Sequence, residues 1–303
     1  MAEIICVGVA FLDNVFEAEV PVSEDSKSFA RDHRQFGGGM AATAAAAVVQ
    51  LGGRAALWGR LGDDEVGTRI LDGLIRRGVQ TDSIRRIPNA RSPVSSVVIG
   101  QNGERQAIVF PGRDLDNNAD WLPLDRISEV NALLVDPRWP EAAMAALERA
   151  REHHIPAILD ADVGPDPVPR ELVELATHAI FSHAGLTQFT GTSDIPTALY
   201  KARDSSEAVI GVTAGAAGFY WLSEKDKDVH HIPGLDVVAV DTLGAGDVFH
   251  GAFALAIGEG KDVAEAGRFA NVAAGLKCAQ SNGRDAIPSR AEVWKKLANE
   301  TAA

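Results

Sequence analysis

A chain of 303 residues, 46% hydrophobic and 23% charged, is long enough to bury a sizeable core in one large α/β domain or two smaller ones. Its net charge of −13 argues against nucleic acid or an anionic membrane as the main partner, because both select basic surfaces. Two cysteines, Cys6 and Cys278, read as buried thiols in a reducing, cytoplasmic compartment, and no apolar run approaches the ~20 residues of a membrane helix.

In chain order, Ile4–Val9 is a continuous apolar run, as in a strand buried on both faces, with Asp13 just after it. Residues 14–36 mix Val15, Phe16, Val20 and Val22 with charges and read as exposed strands. Gly37-Gly38-Gly39 opens an alanine-rich helix over 40–51, read as core packing that could also serve as a dimer face. Ala55–Trp58 is the next buried strand, and Asp63-Asp64-Glu65 starts a helix toward Gly78 with acids at its positive end. Strand, glycine turn, helix, strand, helix is the pattern of a parallel sheet with crossover helices.

Residues 92–110 break that pattern with two β-like runs around Gln101-Asn102-Gly103, a hairpin signal. Together with 14–36 they predict a small β lid, spanning 14–36 and 92–111, outside a main domain of 1–13, 37–91 and 112–303. Short strands then alternate with helices: Ala132–Val135, Ala157–Leu159, Ala179–Phe181 and Ala208–Val212, with Gly218–Leu222 in a later hairpin. Helices near 245–257, 262–280 and 289–298 close the chain.

The sharpest chemical signal is Val238-Ala239-Val240-Asp241-Thr242-Leu243-Gly244-Ala245-Gly246-Asp247. A β run ends at Asp241, small residues turn, and a helix begins near Ala245. Amides at a helix start favour anions, and glycines let a phosphate approach the backbone. A carboxylate in that first turn repels a resting phosphate. It makes sense beside a phosphoryl group in flight, where it takes the acceptor's proton. Taken alone, the segment is equally a glycine turn with an acid suited to the helix dipole.

Asp241–Asp247 resembles the DTxGAGD signature of the ribokinase-like, or PfkB-type, carbohydrate kinases. Gly38-Gly39 before its helix, Asp13 after the first strand, and Val212–Gly218 as VTxGxxG resemble that family's other segments, in the same order along almost the whole chain. The resemblance implies a three-layer α/β/α domain with a central, mostly parallel sheet and a β lid. It implies ATP with Mg2+, Asp247 as catalytic base, and Gly244, Ala245 and Gly246 as the anion hole. It places Asp13, Gly38, Gly39 and Thr43 at the sugar, and Thr213, Gly215, Gly218 and Asn271 at the nucleotide. In many members a monovalent cation such as K+ sits near Asp241. Apart from the resemblance, apolar Phe16, Val20, Val97 and Val98 in the lid suggest a homodimer through its strands, since exposed strand edges tend to be paired or covered. Here Thr43 stands where the family usually has Asn, and Phe181–Gly185 lacks the N-x-x-E motif near the metal.

Further segments, among them Asp136–Trp139 and Gly283–Pro288, look closest to the bacterial 6-deoxy-6-sulfofructose kinases, with Lys27 and Arg138 in the places of sulfonate-binding bases. Val109 departs from that branch's Asn. The expectation is therefore a kinase of a sugar or an anionic sugar. A neutral sugar, a nucleoside or another small alcohol on the same fold, or a non-catalytic sugar-binding relative, are the alternatives. His153-His154 and His230-His231 read as surface pairs, and His250 as a packing or supporting residue.

Overall fold

The computed structural model describes residues 1–18, 27–100, 105–204, 206–223 and 227–301. Val20, Val22 and the Gln101–Gly103 turn signal lie outside them. The first half runs β1 (Glu3–Val7), β2 (Phe11–Ala18), β3 (Ala30–Gly38), α1 (Met40–Gln50), β4 (Arg54–Gly62), α2 (Glu65–Arg76), β5 (Ile84–Ile87), β6 (Val94–Ile99), β7 (Arg105–Phe110) and β8 (Ala132–Val135). It continues with α3 (Pro140–Glu152), β9 (Ala157–Ala161), α4 (Arg170–Leu175), β10 (His178–Ser182), α5 (His183–Thr190), α6 (Ile195–Arg203) and β11 (Val209–Thr213). Then come β12 (Phe219–Leu222), β13 (His230–Ile232), α7 (Ala245–Gly258), α8 (Val263–Cys278) and α9 (Arg290–Thr301).

Among the described residues, nine strands form one sheet in the order β13-β12-β11-β10-β9-β8-β1-β4-β5, parallel except at β12 and β13. The continuous apolar runs are what a sheet covered on both faces requires. Alternate residues go to opposite layers. Ile4, Cys6, Leu134, Ile158 and Ile180 join a core with α1, α7 and α8. Ile5, Val7, Leu133, Leu159 and Phe181 join the other, under α3 to α6. Three layers result, as expected.

The lid is a second sheet, β3-β2-β6-β7, with β2 parallel to β6 and the other pairs antiparallel. Its strands overrun the breaks expected at 13/14 and 36/37, so Asp13 and Gly37-Gly38 sit on lid strands, paired as Asp13 with Phe36 and Leu12 with Gly37. Strand alternation therefore aims Phe11, Asp13, Ser95, Val97, Ala107 and Val109 down onto the main sheet.

Three expectations need correction. Val238–Val240 is not a strand; the segment is irregular, and Val238 and Val240 are 85% and 62% exposed. No neighbouring strand offers it a ladder, and the amides of Val240 and Asp241 instead donate to the single carbonyl of Cys278, at 2.7 and 3.1 Å. Helix α1 offers no dimer face, because Met40–Val48 is buried throughout, mostly under α7. Cys6 is buried and free as read, but Cys278 is only half-buried.

Candidate active site

The carboxyl ends of parallel strands open toward the lid, the usual place for a ligand crevice in such sheets. The cavity there measures about 400 Å3. The lid roofs it, α1 and α7 point their N-termini at it, and the loop after α8 closes one side.

Gly244 caps α7 with φ 73°, a left-handed turn that suits glycine. Asp247 lies in the first helical turn and borders the cavity. The next ten residues, Val248–Ile257, are all buried, so the helix that carries Asp247 cannot easily shift. Within the anion hole, the Ala245 amide donates to the Thr242 carbonyl at 3.2 Å. The amides of Gly244, Gly246 and Asp247 have no protein acceptor among the described residues, so they are the donors left for an anion.

Burial and the nearby charge of Asp160 push the Asp247 carboxyl well above its ordinary value of 3.8. His250, one turn on, is buried and supports that turn. Its Nδ1 lies 2.8 Å from the Gly246 carbonyl, and its Nε2 lies 3.1 Å from the Ile180 carbonyl and 3.4 Å from Asp160 Oδ1.

Across the cavity, Asp13 accepts a hydrogen bond from Ser95 Oγ at 2.6 Å. Burial raises its pKa, against the lowering effect of Ser95 and the Arg284 charge. Gly38 leaves the room Asp13 needs: a Cβ there would lie 2.0 Å from Asp13 Oδ2. Gly39 is the N-cap of α1. Thr43 is buried at the edge of the cavity, and its Oγ1 accepts from Arg284 Nε at 3.1 Å.

Sequence reasoning missed Arg284 as a site residue. It comes from the loop after α8, donates Nη2 to the Gly38 carbonyl at 2.7 Å, and ties that loop to α1 and the lid. Burial lowers its pKa to about 10, with Asp13 acting against the loss. Asp160 and Asp162 were missed too, although an acid pair at the carboxyl end of a buried strand is a legible signal. Both border the cavity.

Other expected residues fall elsewhere. Lys27 is exposed, and neither it nor Arg138 borders the cavity. Arg138 donates its guanidinium to the Val163 carbonyl, and its amide to Asp136 Oδ1 at 2.9 Å. Asp136 also accepts from the Val9 and Ala41 amides, which makes it a structural knot joining β1, α1 and β8. Thr213 reaches the cavity. Gly215 and Gly218 lead away from it toward Gly234, whose Cβ position lies 2.6 Å from the Ala216 carbonyl. Asn271 borders a separate cavity of about 320 Å3 with Ile232–Leu235, and its Nδ2 donates to the Ile232 and Pro233 carbonyls at 3.2 Å. Thr213 thus borders the cavity of the anion hole, and Asn271 borders a second one.

Two ions were expected. At Asp241, the buried Lys277 ammonium already lies 3.0 Å from the backbone carbonyl and 3.3 Å from the carboxylate. These residues suit their own ammonium and do not fit an added monovalent cation. Asp160 and Asp162 do fit a divalent cation in donor chemistry. The side chain of Asp160 is 2% exposed, and its Oδ2 has no partner.

The pfkB family carbohydrate kinase profile matches residues 1–290. A ribokinase of Bacillus subtilis (strain 168) is 30% identical over 302 residues, covering 98% of this chain and 100% of that protein. The crystal structure of a candidate ribokinase from Agrobacterium tumefaciens superposes with a TM-score of 0.95 at 39% identity, covering 100% of this chain and 99% of that one. The Arabidopsis thaliana ribokinase complexed with ribose and ATP does so at 0.86 and 26%, covering 98% of each. With the site geometry, these matches show that the chain belongs to the pfkB family and is an ATP-dependent carbohydrate kinase.

Proposed function

We propose that this chain moves the γ-phosphoryl group of ATP to a primary hydroxyl of a neutral, hydroxyl-rich sugar of pentose or ketohexose size. The carrying observation is Asp247, bordering the cavity next to the unengaged amides of Gly244 and Gly246 and on the same cavity as Asp13.

Asp13, with the chain at Gly38 and Gly39, holds sugar hydroxyls. As the acceptor oxygen bonds to phosphorus, its proton passes to Asp247 and the bond from phosphorus to the ADP oxygen breaks. The amides at the start of α7 take up charge on the migrating group. Thr213, Gly215, Gly218 and Asn271 line the path of the nucleotide. Mg2+, held near Asp160 and Asp162, would neutralise phosphate charge.

The charge balance favours a neutral acceptor. Four aspartates, Asp13, Asp160, Asp162 and Asp247, border the cavity against two cations, Lys277 and Arg284, both already engaged. An anionic tail would meet that surplus. The 6-deoxy-6-sulfofructose reading drew on Lys27 and Arg138, which do not border the cavity, and Val109 offers a sulfonate no donor. Ribose is the first candidate, since the Bacillus and Arabidopsis relatives are ribokinases.

Assembly is a second proposal: a homodimer through the outer lid face, where Ile108 and Phe110 are 71% and 38% exposed. A cytoplasmic setting agrees with the absence of a disulfide among the described residues; no described helix is long and apolar enough to cross a membrane.

The test is a coupled ADP-release assay with ribose, fructose, 6-deoxy-6-sulfofructose, a nucleoside and pyridoxine. Turnover on ribose or fructose at least ten times that on the others is expected. A preference for the sulfonated sugar would overturn the neutral-acceptor reading, and ATP turnover on none of them would overturn catalysis of this kind.

A further inference from the structure

Asp160 is the fourth residue of β9 and Asp162 follows that strand's end, so both carboxylates stand at the crevice side of the sheet. Asp160 Oδ1 faces His250 Nε2 at 3.4 Å, but Oδ2 is buried with no partner. A buried carboxylate oxygen normally has one, because its lost hydration must be replaced. The surroundings deepen the deficit. Asp162 and Asp136 both act on Asp160 with like charge. His250 already has a backbone carbonyl opposite each ring nitrogen. Lys277 is held by Asp241, and Arg284 by Thr43 and Gly38. Arg138 acts on Asp160 with opposite charge, but its guanidinium donates to the Val163 carbonyl, and among the described residues no Lys or Arg forms an ion pair with either carboxylate.

We propose that Asp160 and Asp162 form the divalent-cation site of this chain, with nucleotide phosphate oxygens and water completing the shell. This rests on the kinase reading above. Mg2+ keeps several waters and needs only one or two protein carboxylates beside phosphate oxygens. That agrees with the absence, among the described residues, of any cluster of three metal-ligating side chains. The position is right for phosphates, since Asp160 is close enough to Asp247 for its charge to act there. The Phe181–Gly185 segment adds no carboxylate to the cavity. Ser182 spends its Oγ capping α5 on the Gly185 amide at 2.9 Å, and Gly185 has no side chain to offer.

The probe is Mn2+, titrated into the whole protein with and without ADP while the electron paramagnetic resonance signal of free aqueous Mn2+ is followed. The wild type should deplete that signal, more strongly with ADP. Asp162→Asn and Asp160→Asn should each weaken Mn2+ affinity at least tenfold, with circular dichroism unchanged. Their ADP affinity in EDTA should stay equal or become tighter, because a charge repelling phosphate is gone. Asp160→Asn should also melt no lower than wild type without metal, since the orphaned charge is removed. Mn2+ affinities within twofold of wild type in both variants, or no depletion by wild type with ADP present, overturn the site. Failure of the kinase reading looks different: no sugar is phosphorylated, whereas Mn2+ uptake without ADP still stands or falls with the two aspartates.

Discussion

Asp247 must be charged to accept a proton, yet burial and Asp160 hold its pKa well above 3.8. Asp247→Asn keeps the shape and removes the base. Turnover should fall by about 10²–10⁴ or more, the usual scale of general-base assistance. The melting temperature should stay level or rise at neutral pH, because a buried charge with no bonded partner is removed. A variant that keeps more than a tenth of wild-type turnover would take the proton-accepting role from Asp247. Gly38→Ala probes the opposite wall. The added methyl collides with the Asp13 carboxylate, so the expected effect is at least a tenfold rise in KM for sugar, with KM for ATP unchanged. Asp247, Gly244 and Gly246 stand out in the sequence as a glycine turn into a helix with an acid in its first turn, whereas Asp13 and Gly38 are singled out only by the family resemblance; all five border one cavity. Arg284 does not stand out in the sequence, and the acid pair shows only as two aspartates at a strand end. Their meaning depends on a loop after α8 and a strand end meeting α7 in space, which no local spacing announces.

At the level of elements, the buried strands and most helices were legible because their apolar runs and periods are unambiguous. Edges were not. Strand β5 is Ile84-Arg85-Arg86-Ile87 and β13 only His230–Ile232; strands this short and polar pair on one side and carry little pattern. Val238–Val240 has strand-forming side chains but no partner strand, so propensity lost to context. The lid was visible as two excursions, but its strands extend into Asp13 and Gly38. That overlap has a consequence: the roof that positions sugar is the same sheet whose outer face carries Ile108 and Phe110. Ile108→Lys leaves the cavity face untouched, since Ala107 and Val109 are the residues that border it. If copies pair through this face, the variant should sediment as a monomer where wild type is a dimer, and its KM for sugar should rise as the lid loses support. A wild type that is monomeric at micromolar concentration removes the lid interface.

Taken whole, the molecule carries acid where it binds ligands, and this makes pH act in two directions. Asp13, Asp136 and Asp247 all have pKa values raised in the folded state, burial being the largest cause in each. A carboxyl group of this kind binds its proton more tightly when folded. Its contribution to stability is full below the unfolded value near 3.8 and is lost as pH rises through the folded value. Asp64, Asp194 and Glu292 run the other way: bonded to Ser92, Thr197 and Ser289, they have lowered pKa values and lose their contribution as pH falls. Stability of the ligand-free protein should therefore peak on the acid side of neutrality and decline toward pH 8. Catalysis needs the opposite state. With Asp247 protonated no base is available, so kcat/KM should rise with pH along a limb lying above the ordinary carboxylate range. Replacing Asp160 by Asn removes the like charge that ranks next after burial in raising Asp247, so it should move that limb to lower pH in whatever activity remains. Melting curves from pH 5 to 8 and a pH profile of kcat/KM test both halves. A stability maximum at pH 8, or an acid limb at or below pH 4, would show that Asp247 is not held in the buried, acid-crowded setting on which the proton transfer depends.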